Sequence, residues 1–83
     1  MNITHDEARG MVQRAVRRIV PDADVDAVAD DADLRRTFEL DSLDFLSFVE
    51  LLVTASGVRI DEDDYPELST TARCADFLSR RAH

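Results

Sequence analysis

One serine stands out among the side chains that could take part in covalent chemistry. Ser42 follows Asp41 where an acidic stretch of the chain gives way to an apolar one. A catalytic serine needs a neighbouring base and a group that orients that base. The chain has no lysine, its only histidines are His5 and His83 near the two ends, and no G-x-S-x-G elbow surrounds the serine. The sequence therefore argues against catalysis by this chain alone.

The same hydroxyl is well placed to carry a phosphate ester. Asp41 is a favourable N-cap, so Ser42 is predicted in the first turn of the following helix, with its hydroxyl near solvent. Free backbone N–H groups and the positive end of the helix dipole stabilise a phosphoester at such a position. From these residues alone, the alternative that Ser42 only helps to start the helix stays open.

The elements that must position this serine are helices, because the chain has only two glycines, two prolines and little period-two alternation. We predict a first helix over about residues 4–20, opened by a capping box of Thr4 and Glu7 and ended by Pro21. Residues 22–33 hold six aspartates and no basic residue, which predicts a long solvated loop. The four arginines of the first helix are expected on its solvated face, where they can pair with this loop.

Three further elements are predicted after the loop. A second helix runs from about residue 41 to 56 and is stopped by Gly57, and residues 61–65 form one short acidic turn of helix. A last helix is capped by Ser69 or Thr70. Its inward residues are then Thr71, Cys74, Ala75 and Leu78. The predicted fold is all-α, a small four-helix bundle of three principal helices and one short helix, with a long loop between helices 1 and 2.

Length and composition exclude several classes of protein. The 83 residues predict a single domain, 1–83, and contain no run of about 18 consecutive apolar residues that could span a membrane. The net charge of −8 opposes nucleic acids and anionic membranes and favours basic protein partners. A single cysteine, Cys74, and a first segment without a signal-peptide pattern predict a cytoplasmic protein, which we expect to be a monomer. The cysteine itself is expected to be a small buried hydrophobe.

The second predicted helix carries more apolar surface than a small bundle can bury. One stripe consists of Phe45, Phe48, Val49 and Leu52 and is predicted to face the core. The other lies about 130° away and consists of Leu43, Leu46 and Val53, with Glu50 beside it. This second stripe is exposed or lies under the acidic loop, unless the helix is central and packed on all sides. An exposed apolar stripe ringed by acids is a suitable docking surface for a protein.

The order of these features is more specific than any one of them. An amphipathic first helix and a long loop precede Leu-Asp-Ser-Leu-Asp at residues 40–44, and Gly-Val-Arg-Ile follows at residues 57–60. An acidic short helix with Tyr65 and then Leu-Ser-Thr-Thr at residues 68–71 lead into the last helix. In this order and spacing, almost to the end of the chain, the sequence resembles the acyl carrier protein family, the phosphopantetheine-binding four-helix domains of fatty acid, polyketide and nonribosomal peptide synthesis.

The resemblance implies a function. Ser42 would carry a 4′-phosphopantetheine arm, added from coenzyme A by a separate Mg²⁺-dependent phosphopantetheinyl transferase, and the thiol of the arm would hold acyl, aminoacyl or polyketide groups as thioesters. The chain would be a discrete carrier protein and not an enzyme, loaded by an acyl- or aminoacyl-transferring ligase or transferase and used by a ketosynthase or other condensing enzyme. The docking residues implied by the resemblance are Asp41, Leu43, Leu46, Glu50, Val53 and Ile60.

Two departures from the family pattern concern the site. Glu39 stands where the family commonly has glycine, two residues before the aspartate, which predicts a different backbone just before the serine. Ser47 and Thr54 stand where many fatty-acid carriers have acids on the second helix. The recognition helix is therefore less acidic than usual, which favours a dedicated set of partners over a generic role in fatty acid synthesis.

Two other functions compete with this one. Five aspartates of the acidic loop occupy positions 1, 3, 5, 9 and 12 of a possible twelve-residue calcium loop, namely Asp22, Asp24, Asp26, Asp30 and Asp33. Against calcium, Ala27 stands at position 6 where the sharp turn needs glycine, and position 12 lacks the bidentate glutamate. The other competitor is an acidic helical adaptor without a prosthetic group. No metal site is expected from the two histidines, which are too isolated to form one.

Overall fold

The computed structural model describes residues 2–82, and over these residues the chain is helical without a β-strand. It contains α1 (His5–Ile19), a 3₁₀ turn (Val25–Ala27), α2 (Leu34–Thr37), α3 (Ser42–Ser56), a 3₁₀ helix (Glu62–Leu68) and α4 (Thr71–Arg81). The predicted all-α bundle is confirmed. The helices α1, α3 and α4 are its three principal helices, and the segment Glu62–Leu68, hereafter the acidic 3₁₀ helix, is the short one.

The start of α1 is fixed by its capping box. The backbone N–H of Glu7 donates to Thr4 Oγ1 at 3.1 Å, and the N–H of Thr4 donates to Glu7 Oε1 at 3.2 Å, so each residue satisfies a donor of the other. Ile3 just before the cap and Ala8 just after it are both buried, as expected of a hydrophobic staple. The helix ends at Ile19, and Pro21 follows. The predicted span of 4–20 is therefore correct to within a residue at each end.

The segment predicted as a long solvated loop is more ordered than expected. It contains the 3₁₀ turn, and it leads into α2, a single helical turn that the sequence did not predict. Val25 and Leu34 are buried and anchor the segment in the core. The helix α2 begins because Asp33 accepts the backbone N–H of Arg36 at 2.9 Å. Four residues are too few to show a helical period in sequence, so only this cap could have indicated the helix.

Backbone hydrogen bonds attach this segment to the start of α4. The N–H of Leu34 donates to the carbonyl of Ser69 at 2.8 Å, and the N–H of Ala72 donates to the carbonyl of Asp30 at 3.0 Å. The expected pairing with α1 is also present, since Arg9 Nη2 lies 2.7 Å from Asp30 Oδ2. Such exposed ion pairs contribute at most about 1 kcal/mol each. The backbone bonds and the buried anchors therefore hold the segment, and the charges add to them.

The core lies where α1, α3 and α4 meet. Its fully buried members include Phe48, Phe77, Leu34, Leu52, Leu68, Leu78, Val12 and Val16. Every residue predicted to face inward from α4 is buried. Cys74 belongs to this set, with its Sγ 3.5 Å from the carbonyl oxygen of Leu68. The cysteine is therefore a small core residue, as predicted.

Burial of Cys74 makes the fold sensitive to alkaline pH. Desolvation raises the pKa of the Cys74 thiol from 9.0 to about 12, so between these values the native state keeps a proton that the unfolded chain releases. The free energy of unfolding is therefore unaffected by this thiol below pH 9. It falls as pH rises from 9 towards 12, by at most about 1.4 kcal/mol per pH unit. We expect urea unfolding at pH 8 to 11 to show this decline. Cys74→Ala should flatten it, and equal slopes for the two proteins would contradict this account.

Candidate functional site

Ser42 is the first residue of α3 and is exposed to solvent. Its place is set by Asp41, which adopts an extended backbone and accepts the N–H of Asp44 on Oδ1 at 2.8 Å. The expected N-cap is thus confirmed. Within residues 2–82 the Ser42 side chain makes no hydrogen bond, so its hydroxyl is free to react.

The first turn of α3 offers unpaired backbone donors beside this hydroxyl. The N–H of Phe45 donates to the carbonyl of Asp41 at 2.9 Å, and the N–H of Asp44 is taken by the cap. The N–H groups of Ser42 and Leu43 have no intrahelical partner at this position. A phosphoester on Ser42 would therefore lie at the positive end of a helix of 15 residues.

The backbone just before the serine contains a left-handed residue. Glu39 has φ +54° and is exposed. The sequence predicts a different backbone here because glycine is missing, but the conformation observed is one that glycine adopts without strain. The departure from the family pattern therefore leaves Glu39 in a strained conformation, and Leu40, which follows it, is still buried.

The second apolar stripe of α3 is exposed at two of its three residues, Leu43 and Leu46. Leu43 is 75% exposed and Leu46 is 43% exposed, while the four residues of the first stripe are buried. The alternative in which α3 is packed on all sides is therefore wrong. Asp41 and Glu50 are exposed as well, and Val53 and Ile60 are half-buried.

Four of the six proposed docking residues line one open groove. This groove has a volume of about 400 Å³ and lies between α3 and the acidic 3₁₀ helix. It is lined by Leu46, Val49, Glu50, Val53, Thr54, Ile60 and Tyr65. Asp41 and Leu43 are not among its lining residues and stand at the start of α3, next to Ser42. The structure thus brings the predicted docking residues to one side of α3 but divides them between a groove and the helix start.

Sequence reasoning missed a basic residue beside this surface. Arg18 of α1 lines an open groove between α1 and α3 together with Asp44, Ser47 and Glu50. In the sequence it was placed on the solvated face of α1, because periodicity does not show which helix lies alongside. Within the described part of the chain, no carboxylate oxygen lies within 4.0 Å of the Arg18 guanidinium.

The carboxylates of the acidic loop do not converge. Asp33 caps α2, Asp30 contacts Arg9, and Asp26 lies 4.0 Å from Arg17. Over residues 2–82 no group of three or more histidine, cysteine, aspartate or glutamate side chains is arranged to hold a metal ion. His5 Nε2 lies 3.7 Å from Asp76 Oδ1, and His83 is outside the described residues. Nothing in this geometry favours a calcium site.

Comparison with known proteins adds one finding. A family model described as "Phosphopantetheine attachment site" matches residues 11–78, a segment that includes α1 from Met11 onward, the whole of α3 and most of α4. The search of curated proteins and the search of solved structures each found no match. Among the described helices, none is both long enough and apolar enough to cross a membrane.

The strain at Glu39 leads to a stability prediction. A left-handed conformation costs a non-glycine residue about 1–2 kcal/mol, which substitution by glycine would relieve. Part of this relief is offset because glycine loses more backbone entropy on folding. We expect Glu39→Gly to raise the free energy of unfolding by about 0.5–1 kcal/mol in urea denaturation. The matched control is Glu39→Ala, which keeps a β-carbon and should bring no such gain. An equal gain in both variants would assign the effect to the lost charge.

Proposed function

We propose a carrier function, because the chain belongs to the phosphopantetheine attachment site family. Members of this family carry 4′-phosphopantetheine covalently, and their carrier domains are typically non-catalytic. Such domains interact with a phosphopantetheinyl transferase and with acyl-handling enzymes. Our proposal is that Ser42 is the attachment residue and that the chain delivers bound acyl, aminoacyl or polyketide groups to partner enzymes.

The residues at the start of α3 fit the prosthetic group. The observation that supports the assignment most strongly is the exposed Ser42 hydroxyl, without a hydrogen-bond partner in residues 2–82 and with the free N–H of Leu43 beside it. Attachment requires that a transferase reach the oxygen, and the cap at Asp41 keeps it on the surface. When bound, the arm supplies a terminal thiol that holds cargo as a thioester.

The role of the chain itself is to present the cargo to partner enzymes. A tethered cargo is offered to an enzyme at a high effective concentration without any catalytic group on the carrier. Leu43 and Leu46 supply exposed apolar area for docking, and acids nearby favour a basic partner surface. The association should be weak, because a carrier must leave one enzyme before it reaches the next.

The charges around α3 indicate which features of a partner this surface can recognise. Asp44 and Glu50 share their groove with the cation of Arg18, and Ser47 adds only a hydroxyl. Arg18 thus offsets only one of these two carboxylates, and the exposed side of α3 keeps a small net negative charge, much less than the −8 of the whole chain. We propose a dedicated set of partners, a loading ligase or transferase and a condensing enzyme such as a ketosynthase, that recognise mainly the apolar side chains. The cytoplasmic location and the monomeric state stay predictions.

The serine assignment is tested by loading. Incubation with coenzyme A, Mg²⁺ and a broad-range phosphopantetheinyl transferase should add the mass of one phosphopantetheine to the wild-type chain. Ser42→Ala should gain nothing while its helicity and urea midpoint stay unchanged, since the hydroxyl makes no contact that stabilises the fold. The matched control is Ser47→Ala, an exposed serine of the same helix, which should load normally. A chain that acts as an adaptor without a prosthetic group would gain no mass in any variant.

The docking surface is tested with the same transferase. Leu46→Ala and Glu50→Arg should each lower kcat/KM for loading several-fold, with less than about 1 kcal/mol of change in unfolding free energy, because both side chains are exposed. Arg14→Ala on the exposed side of α1 is the control and should leave kcat/KM unchanged. Loading rates that are equal in all three variants would contradict the docking surface proposed here.

A further inference from the structure

A third groove shares Tyr65 with the groove between α3 and the acidic 3₁₀ helix, which we call the docking groove. It has a volume of about 320 Å³, is open to solvent, and has a mostly apolar surface. Its lining residues are Asp33, Arg35, Phe45, Tyr65, Pro66 and Ser69. We call it the Arg35 groove. It is formed by α2, α3 and the acidic 3₁₀ helix, and none of the proposed docking residues lines it.

An unpaired cation is held in this groove. The Cζ atom of Arg35 lies 5.1 Å from the centroid of the Phe45 ring, and the Phe45 ring meets Tyr65 edge-on with centroids 5.4 Å apart. Throughout residues 2–82, the Arg35 guanidinium makes no hydrogen bond and has no carboxylate oxygen within 4.0 Å. The aromatic contact restrains the side chain while its N–H groups stay available.

The fold places this cation against the first turns of α3. The N–H of Leu40 donates to the carbonyl of Arg35 at 2.9 Å, so the chain turns back immediately before the serine. Phe45 follows Ser42 by three residues, and side chains with this spacing are neighbours on a helix surface. Helical side chains also lean towards the N-terminus, which carries the Phe45 ring over the turn that contains Ser42. The guanidinium above that ring is therefore beside the start of α3.

We propose that the Arg35 groove binds the phosphopantetheine arm in the resting carrier. The guanidinium of Arg35 pairs with the phosphodiester on Ser42, the rings of Phe45 and Tyr65 cover the dimethyl group, and Ser69 offers a hydroxyl to the amides. This inference rests on the proposed attachment at Ser42. It assigns to Arg35 a role in positioning the arm.

Charge favours the Arg35 groove over the docking groove. The phosphodiester is fixed to Ser42 Oγ, so it reaches only the immediate surroundings of the helix start. The charged residue that lines the docking groove is Glu50, which repels an anion. The Arg35 groove holds the carboxylate of Asp33, which accepts the N–H of Arg36, but it also offers the cation of Arg35. Asp41 and Asp44 add negative charge near the ester, and Arg35 offsets it. An arm held on this side also leaves Leu46 and Val53 uncovered for a partner.

The test uses the holo protein and nuclear Overhauser effects from the methyl protons of the arm. In the wild-type protein we expect cross-peaks to the aromatic protons of Phe45 and Tyr65. Arg35→Ala should reduce them at least five-fold, because the phosphodiester loses its counter-charge. The matched control is Arg36→Ala, the adjacent exposed arginine of α2, which does not line the groove and should keep them. Circular dichroism of the variants checks that each is folded.

The outcomes separate this inference from the proposed function. Cross-peaks to Leu46, Val53 or Ile60, or no protein contact from the arm at all, would overturn the Arg35 groove even if loading is normal. Equal loss in both arginine variants would overturn the role of Arg35. If the wild-type chain gains no phosphopantetheine, the attachment at Ser42 fails, and this inference fails with it. If Arg35→Ala does not fold, the cross-peaks of the wild-type protein still decide where the arm lies.

Discussion

The hydrogen bond between Asp41 Oδ1 and the N–H of Asp44 fixes the residue at which α3 begins. A start one residue later would make Ser42 the N-cap, and its hydroxyl would then accept backbone N–H groups of the helix. The rotation of α3 is fixed independently by Phe48 and Leu52, which are fully buried. The cap and the buried stripe together determine that Ser42 and Leu43 face solvent. A carrier depends on this combination, because the modified oxygen must stay accessible on a helix whose other side is core.

The surroundings of the site depend on contacts between distant parts of the chain. The backbone bonds of Leu34 and Asp30 to the start of α4 hold α2 in place, and α2 carries Arg35 to the side of α3. On the other side, Asp64 is buried, accepts the N–H of Asp61 at 3.0 Å, and pairs with Arg81 at 3.1 Å. This pair fastens the acidic 3₁₀ helix to the end of α4, and Tyr65 is the next residue. Removing Arg81 would leave the buried carboxylate of Asp64 without its cation, so this ion pair matters more than those between two exposed side chains.

The sequence predicts the features that are local and leaves open those that depend on packing. The helices α1, α3 and α4 have strong periods and recognisable caps, and the first residue of α3 follows from Asp41 alone. The exposure of Leu43 was one of two alternatives, because it depends on which segment lies over α3. Arg35 and Arg18 carried no signal, since their importance comes from neighbours on other helices. Among the acids that follow Ile60, the sequence does not distinguish the buried Asp64 from its exposed neighbours.

The distribution of charge determines how this surface works. Screening at physiological ionic strength acts over about 8 Å, while the molecule extends 32 × 24 × 19 Å. The aspartates of the loop after α1 therefore add to the net charge of the chain but act weakly on a partner seated on α3. At that contact Arg18 offsets one of the two carboxylates of Asp44 and Glu50, and Asp41 adds negative charge at the helix start. The loop acids thus favour the approach of basic partners, whereas the proposed selection among partners would rest mainly on the exposed leucines. The docking surface proposed above would hold a partner mainly by apolar contact, without a strong ion pair that would slow release.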